Sequence, residues 1–318
     1  MAAPARSAFR FDPEVLKNLS GLQFRARYVV EGFLSGMHES PFHGYSAEFS
    51  DYRDYQPGDD LRRLDWRFYA RADKLCIKRF EQETNLHFHI ILDTSASMAY
   101  AGRHSWGRKL DYGSVVAAAL TFLLLKQKDA TSLLLMQAPA AAAQVGEQAR
   151  ARRVPQLQFL KASARSSQFG QVVGHLEAAE PCGGPCLGGL LESARRMIPR
   201  RSVILLLSDL LDPVETMRAQ LEPLHFMGQE ILVFQILDRD ELDFPFDQND
   251  IFEDLEAGSR RRIQPSRVRE LYLRRFHAFL AEYRELFRNL GISHTVLATD
   301  EDPSRALAYF LSQRKSFG

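Results

Sequence analysis

The sequence predicts an α/β fold with a mostly parallel sheet, on three observations. Short apolar runs of strand length recur along the chain. Segments with helical rhythm separate them. Two of the runs, His89-Ile-Ile-Leu-Asp93 and Val203-Ile-Leu-Leu-Leu-Ser208-Asp209, end in a carboxylate. Strands alternating with helices imply βαβ units. Parallel strands that deliver oxygens at their carboxyl ends place a ligand crevice at that edge of the sheet.

The elements follow in order. From Phe11 to Phe33, the spacing of Val15, Leu16, Leu19, Leu22 and Val29 predicts a helix, which Gly32, Gly36, Pro41 and Gly44 then break. The stretch from Glu48 to Asp60 reads as a short strand running into a turn at Pro57-Gly58, since proline fixes one torsion and glycine tolerates the next. Asp59 or Asp60 then caps a short helix carrying Leu61, Leu64 and Trp66. Leu75 to Glu81 reads as a further strand. Strand His87–Leu92, helix Lys109–Lys126 and strand Thr131–Gln137 come next. The alanine-rich stretch from Pro139 to Ala151 fits a loop or a loosely held hairpin. Helices are expected at 168–178 and 187–197, a strand at 202–208, a helix at 213–225 and a strand at 231–237. The alternation stops over 238–265, an insertion that reads as a small hairpin or lid. A long helix at 268–290, a strand at 293–298 and a helix at 303–311 close the chain. Residues 1–84 are expected to form an N-terminal, β-containing addition, and 85–318 the α/β domain.

Composition narrows the function. The 318 residues carry a formal net charge of +1, so no global field favours nucleic acid. The clusters Arg62-Arg63 and Arg260-Arg261-Arg262 read as solvated surface or local ion pairs. The 3 cysteines are too few for a disulfide framework. Cys182-Gly-Gly-Pro-Cys186 has neither the spacing nor the companion ligands of a zinc site. The amino end lacks an apolar signal core, and no apolar run approaches a membrane span. The expected setting is the cytoplasm.

The chemistry sits in Asp93-Thr-Ser95-Ala-Ser97-Met98. A carboxylate at a strand end, followed by two hydroxyls at spacing two, suits Mg²⁺, which takes oxygen ligands in near-octahedral geometry and keeps several waters. Asp209, at the end of another strand, binds directly or through water, and an outer position stays open to an incoming carboxylate. On the residues alone, metal binding and a hydrogen-bonded loop cap both remain open.

The two strand ends resemble those of the von Willebrand factor A fold with its metal-ion-dependent adhesion site. The run Phe49-Ser-Asp51-Tyr-Arg53-Asp-Tyr55-Gln-Pro57-Gly58-Asp59-Asp60-Leu-Arg62-Arg63-Leu-Asp65-Trp66, with Ala70-Arg71, Lys78-Arg-Phe-Glu81 and Asp240-Glu-Leu-Asp-Phe-Pro-Phe246, resembles the DUF58 family over nearly the whole chain. That resemblance implies a von Willebrand factor A-like sheet flanked by helices. It also implies a MoxR-type AAA+ ATPase as partner, acting with this chain on an unidentified client in protein maturation or complex assembly. One departure stands out. Where such domains place a threonine ligand after paired glycines, this chain has Gly183-Gly184-Pro185-Cys186. Proline has no hydroxyl and cysteine is a soft ligand. The implied ligand set is therefore Asp93, Ser95, Ser97 and Asp209, with weak Mg²⁺ binding or a vestigial site.

In the N-terminal addition, Arg53, Asp59, Asp60, Arg62, Arg63, Asp65 and Arg71 form either a docking surface or an internal ion-pair network, and Trp66, Phe68 and Tyr69 read as core. The expected function is a non-enzymatic protein-interaction module. There is no Gly-x-x-x-x-Gly-Lys-Ser/Thr loop and no Gly-x-Ser-x-Gly elbow. His38, His43, His87, His89, His104 and His175 fall at no spacing that marks a general base. The alternatives are a metal-dependent hydrolase using Asp93 and Asp209, and a metal-free scaffold.

Overall fold

Asp12 begins the first helix, α1 (Pro13–Asn18): its carboxylate accepts a hydrogen bond from the Glu14 amide at 2.9 Å, and Pro13 stands where a missing N–H is harmless. The computed structural model describes residues 12–37, 52–54, 76–78, 86–137, 155–182, 186–247, 250–253, 255 and 260–314. Gly21, at φ +89°, separates α1 from α2 (Leu22–Met37). The sequence predicts one helix ended by Gly32 and Gly36. Instead the break falls at Gly21 and α2 runs through both glycines. Each interior glycine costs about 1 kcal/mol against alanine, and burial of Leu22, Ala26, Val29 and Val30 offsets that.

The chain divides into two units, residues 40–85 and the remainder. The helices α1 and α2 pack with the larger unit, through Leu16, Ala26, Val29 and Val30 in its core. The boundary expected near residue 85 therefore has helices of the larger unit on its amino-terminal side. In the smaller unit, β1 (Tyr52–Asp54) pairs antiparallel with β2 (Cys76–Lys78), Arg53 opposite Ile77. The expected short helix, the charges from Asp59 to Arg71 and the aromatics Trp66, Phe68 and Tyr69 lie outside the described residues.

The larger unit continues with β3 (His87–Leu92), a 3₁₀ turn (Ala96–Ala99), α3 (Lys109–Lys126), β4 (Ala130–Gln137), β5 (Gln156–Ser163), α4 (Ser167–Glu177), α5 (Cys186–Met197), β6 (Val203–Ser208), α6 (Val214–Phe226), β7 (Glu230–Leu237) and α7 (Arg239–Asp243). A hairpin of β8 (Asp250–Glu253) and β9 (Arg260–Ile263), then α8 (Pro265–Asn289), β10 (Ser293–Ala298) and α9 (Ser304–Arg314), complete it. The six-stranded sheet has the order β10–β7–β6–β3–β4–β5. All neighbours are parallel except β5, which runs antiparallel to β4 at the edge. This is the mostly parallel sheet flanked by helices that the sequence led us to expect. The stretch 139–151 lies outside the described residues.

Strand alternation sets the two layers. On one face, Phe88, Ile90, Leu92, Leu205, Leu207, Phe234 and Ile236 meet α2, α3, α4 and α9. On the other, Ile91, Ile204, Leu206 and Val233 meet α5, α6 and α8. Of the eighteen residues of α3, fourteen are buried, so this helix is apolar nearly all round and lies covered on both sides. Among the described residues, no helix is long and apolar enough to cross a membrane.

Candidate functional site

The strand order reverses between β3 and β6, and that switch point is where a crevice opens at the carboxyl edge of such a sheet. Asp93 and Asp209 follow these two strands. The Asp93 amide donates to the Leu207 carbonyl at 2.9 Å, extending the ladder by one residue and fixing Asp93 at that edge.

Asp93 is buried, at 2% exposure. Its Oδ1 accepts from the Ser95 amide at 2.9 Å and its Oδ2 from the Ser208 hydroxyl at 2.5 Å. Burial, and then the charge of Asp209, push the Asp93 carboxyl above the usual carboxylate range; the bonds from Ser208 and Ser95 pull the other way. After Ser95 the 3₁₀ turn folds the chain back, so that the Ser95 and Ser97 hydroxyl oxygens sit 3.0 Å apart. Two adjacent oxygens of an octahedron with bonds of about 2.1 Å are separated by √2 times that, about 3.0 Å. The two hydroxyls are hydrogen-bonded to each other at that distance, which coincides with the spacing of neighbouring Mg²⁺ ligands.

Asp209 is held differently. Its Oδ2 accepts from the Lys109 ammonium at 2.8 Å, and the same ammonium donates to Glu241 Oε1 at 2.7 Å. Lys109 is fully buried at the start of α3. Burial depresses its pKa, but the two carboxylates outweigh that and hold it above the ordinary lysine value. Glu241 is pushed up by burial, against the pull of Lys109. Both oxygens of Asp93 thus accept hydrogen bonds, from Ser95 and Ser208, and one oxygen of Asp209 is committed to an ammonium. Among the described residues, no group of three or more His, Cys, Asp or Glu side chains could hold a metal, so any cation here depends on the serine hydroxyls.

The walls are equally fixed. Ser208 Oγ accepts from the Leu210 amide at 3.0 Å, and Leu210 adopts φ +55°, a left-handed conformation that costs a leucine about 1–2 kcal/mol. Thr94 donates to the Met136 carbonyl at 2.7 Å, tying the loop to β4. Cys182 forms a parallel bridge with Ser95, its amide donating to the Thr94 carbonyl at 2.7 Å. Gly183, Gly184 and Pro185 lie outside the described residues, but the described chain enters that run beside Ser95. On the far side, Asp238 follows β7 and caps α7. Its Oδ2 accepts from Gly102 N at 3.0 Å and Thr299 Oγ1 at 2.7 Å, while Glu241 Oε2 accepts from the Asp238 amide at 2.8 Å. Asp240 Oδ2 accepts from the Tyr100 hydroxyl and the Arg103 amide, both at 3.2 Å.

The structure thus brings all four sequence-identified residues, Asp93, Ser95, Ser97 and Asp209, to one edge of the sheet. Sequence reasoning missed Lys109, Ser208, Glu241 and Gly102. A signal existed for Lys109: it stands in the first turn of a helix, where the macrodipole disfavours a cation. His89 takes no part. It is buried in mid-strand with Nδ1 at 2.6 Å from Ser132 Oγ, and burial lowers its pKa to about 4.

A family profile described as "Protein of unknown function DUF58" matches residues 51–285. An uncharacterised protein of Mycobacterium bovis, Mb1516, is 28% identical over 309 residues, covering 96% of this chain and 91% of that one. BatB, a conserved hypothetical protein from Bacteroides thetaiotaomicron, aligns with 73% of this chain and 99% of its own at 14% identity and a TM-score of 0.42. The SpRpn10 VWA domain aligns with 70% of this chain and 93% of its own at 8% identity and a TM-score of 0.39.

Proposed function

The chain belongs to the DUF58 family of proteins of unknown function, and from that premise we propose that it is a non-enzymatic protein-interaction module that contacts its partner through the crevice between β3 and β6. The observation that carries this reading is the 3.0 Å separation of the Ser95 and Ser97 hydroxyls beside the buried Asp93 carboxylate. Three oxygens so arranged suit a weakly held Mg²⁺ with water-filled outer positions. When bound, the ion supplies a coordination position that a carboxylate of the partner can fill. The chain's own residues do the rest: Ser208 orients Asp93, Thr94 anchors the loop to β4, and Lys109 holds Asp209 in place.

The family resemblance supports a MoxR-type AAA+ ATPase as the partner, in the cytoplasm, with a client whose maturation or assembly the pair serves. The metal-free scaffold is a second reading, favoured by one observation: Lys109 already supplies a positive charge to Asp209 and Glu241.

The test is a pulldown from native lysate with and without chelator, beside an Asp93→Ala chain. An AAA+ ATPase lost to a similar degree under chelator and in Asp93→Ala supports the metal-mediated contact. Loss in the variant alone supports a metal-free contact at the same loop. Metal-dependent turnover of a phosphate or ester that Asp93→Ala abolishes, with no partner enriched, replaces the module by a hydrolase.

A further inference from the structure

We infer that Lys109 is a built-in cation of the crevice, one that withholds Asp209 from a divalent ion and so sets how tightly Asp93, Ser95 and Ser97 hold one. The inference rests on the reading of the crevice as a hard-cation site, and it identifies what limits that site.

The ammonium lies 2.8 Å from Asp209 Oδ2 and 2.7 Å from Glu241 Oε1, with no exposure of the lysine side chain and 2% for that of Asp209. A magnesium ion on the same Asp209 oxygen would stand about 2.1 Å from it. Two cations sharing one carboxylate oxygen would then be within about 5 Å of each other in a site shielded from solvent, where charges interact strongly. The ammonium must leave before Asp209 Oδ2 can coordinate. Among the described residues, the remaining oxygen, Oδ1, accepts from the Leu211 amide at 3.4 Å, long for a hydrogen bond. While Lys109 stays in place, any ion drawn to Oδ1 sits beside the ammonium's charge and finds Oδ2 already taken.

Departure of the lysine is opposed from a second side. Glu241 is not a free carboxylate: its other oxygen accepts from the Asp238 amide and closes the capping box of α7. Lys109 thus joins the start of α3, the end of β6 and the start of α7 through one charge. Removing it leaves the buried Asp93 and Asp209 and the half-buried Glu241 with no ammonium between them, which is strongly unfavourable unless another cation enters.

The experiment is a Mg²⁺ titration of the full chain by calorimetry, with thermal melts recorded in parallel with and without the ion. The variants are Lys109→Met, close in shape and uncharged, and Lys109→Met combined with Asp209→Asn. Lys109→Met is expected to melt lower than wild type in chelator, to regain much of the loss in Mg²⁺, and to bind the ion at least about ten-fold more tightly, about 1.4 kcal/mol. The added Asp209→Asn should erase that gain. Should Lys109→Met fail to fold, Lys109→Met with Glu241→Gln removes one carboxylate along with the lysine and keeps Asp209, and the same gain is read there. A variant that melts lower but binds Mg²⁺ no more tightly than wild type overturns the inference and leaves the cation-site reading standing. If neither wild type nor the lysine variants bind Mg²⁺, both fall.

Discussion

Replacing Gly102 by alanine tests whether the wall of the crevice is as rigid as its hydrogen bonds imply. A methyl group there would lie 1.9 Å from Asp238 Oδ1, 2.7 Å from Asp238 Cγ and 2.8 Å from Asp240 Oδ2. Asp238 has no exposure and Asp240 only 2%, so neither carboxylate can swing into solvent. Relief requires breaking the bond from Gly102 N to Asp238 Oδ2, 3.0 Å long, and disturbing the cap of α7. Overpacking costs about 1–3 kcal/mol, and a lost hydrogen bond to a charged group about 1.5–3 kcal/mol. The sum, about 2.5–6 kcal/mol, corresponds to a fall in Tm of about 5–24 °C at about 2–4 °C per kcal/mol. Gly174→Ala is the matched control: it is an exposed position inside α4 with nothing within 4 Å of the added carbon, and it should stabilise by about 0.5–1 kcal/mol. Both are read by thermal melts of the full chain in one buffer. A Gly102→Ala protein melting within about 2 °C of wild type would show that the carboxylates yield freely, and the rigid-wall reasoning would be wrong.

Ser208→Ala removes the 2.5 Å bond to Asp93 Oδ2 and the acceptor for Leu210 N. It should cost about 2–3 kcal/mol in urea denaturation and weaken Mg²⁺ binding as Asp93 loses its orientation; an unchanged midpoint would refute it. His89 is neutral in the fold, with its pKa lowered to about 4 against an unfolded value near 6.5. Its contribution is therefore complete above pH 6.5 and is lost as pH falls toward 4, amounting at most to about 3–4 kcal/mol. A resonance assigned to the His89 imidazole and titrating near the ordinary value of about 6.5 in the folded protein would contradict this. Asp93→Ala should abolish any Mg²⁺-dependent rise in Tm, and a rise that persists in the variant would place the ion elsewhere.

The sheet was readable because burial on both faces leaves a nearly unbroken apolar run, as in Val203–Leu207, and the carboxylates ending those runs marked the edge. The edge strand β5 was not. With Leu160 beside Phe159 its alternation is broken, and most of its residues are half-buried, so its pattern matches neither a core strand nor an amphipathic helix. The short α7 went unseen because its cap, Asp238-x-x-Glu241, lay within a stretch that reads as an insertion. In the site, Asp93, Ser95 and Ser97 are local and visible as a motif. Lys109 meets Asp209 across 100 positions and Glu241 across 132, separations at which only the folded chain shows a pairing.

The division of the chain has a practical consequence for anyone who cuts it. Because α1 and α2 belong with the sheet, the unit of residues 40–85 is an excursion out of a domain that begins before it and resumes after it. The entropy of closing an excursion grows only with the logarithm of its length, about 0.6 kcal/mol for each doubling. The larger unit should therefore tolerate a shorter or longer segment between residues 39 and 86 far better than a start at residue 85. A chain begun there would lack Leu16, Ala26, Val29 and Val30 and would leave bare the flank of α3 that they cover.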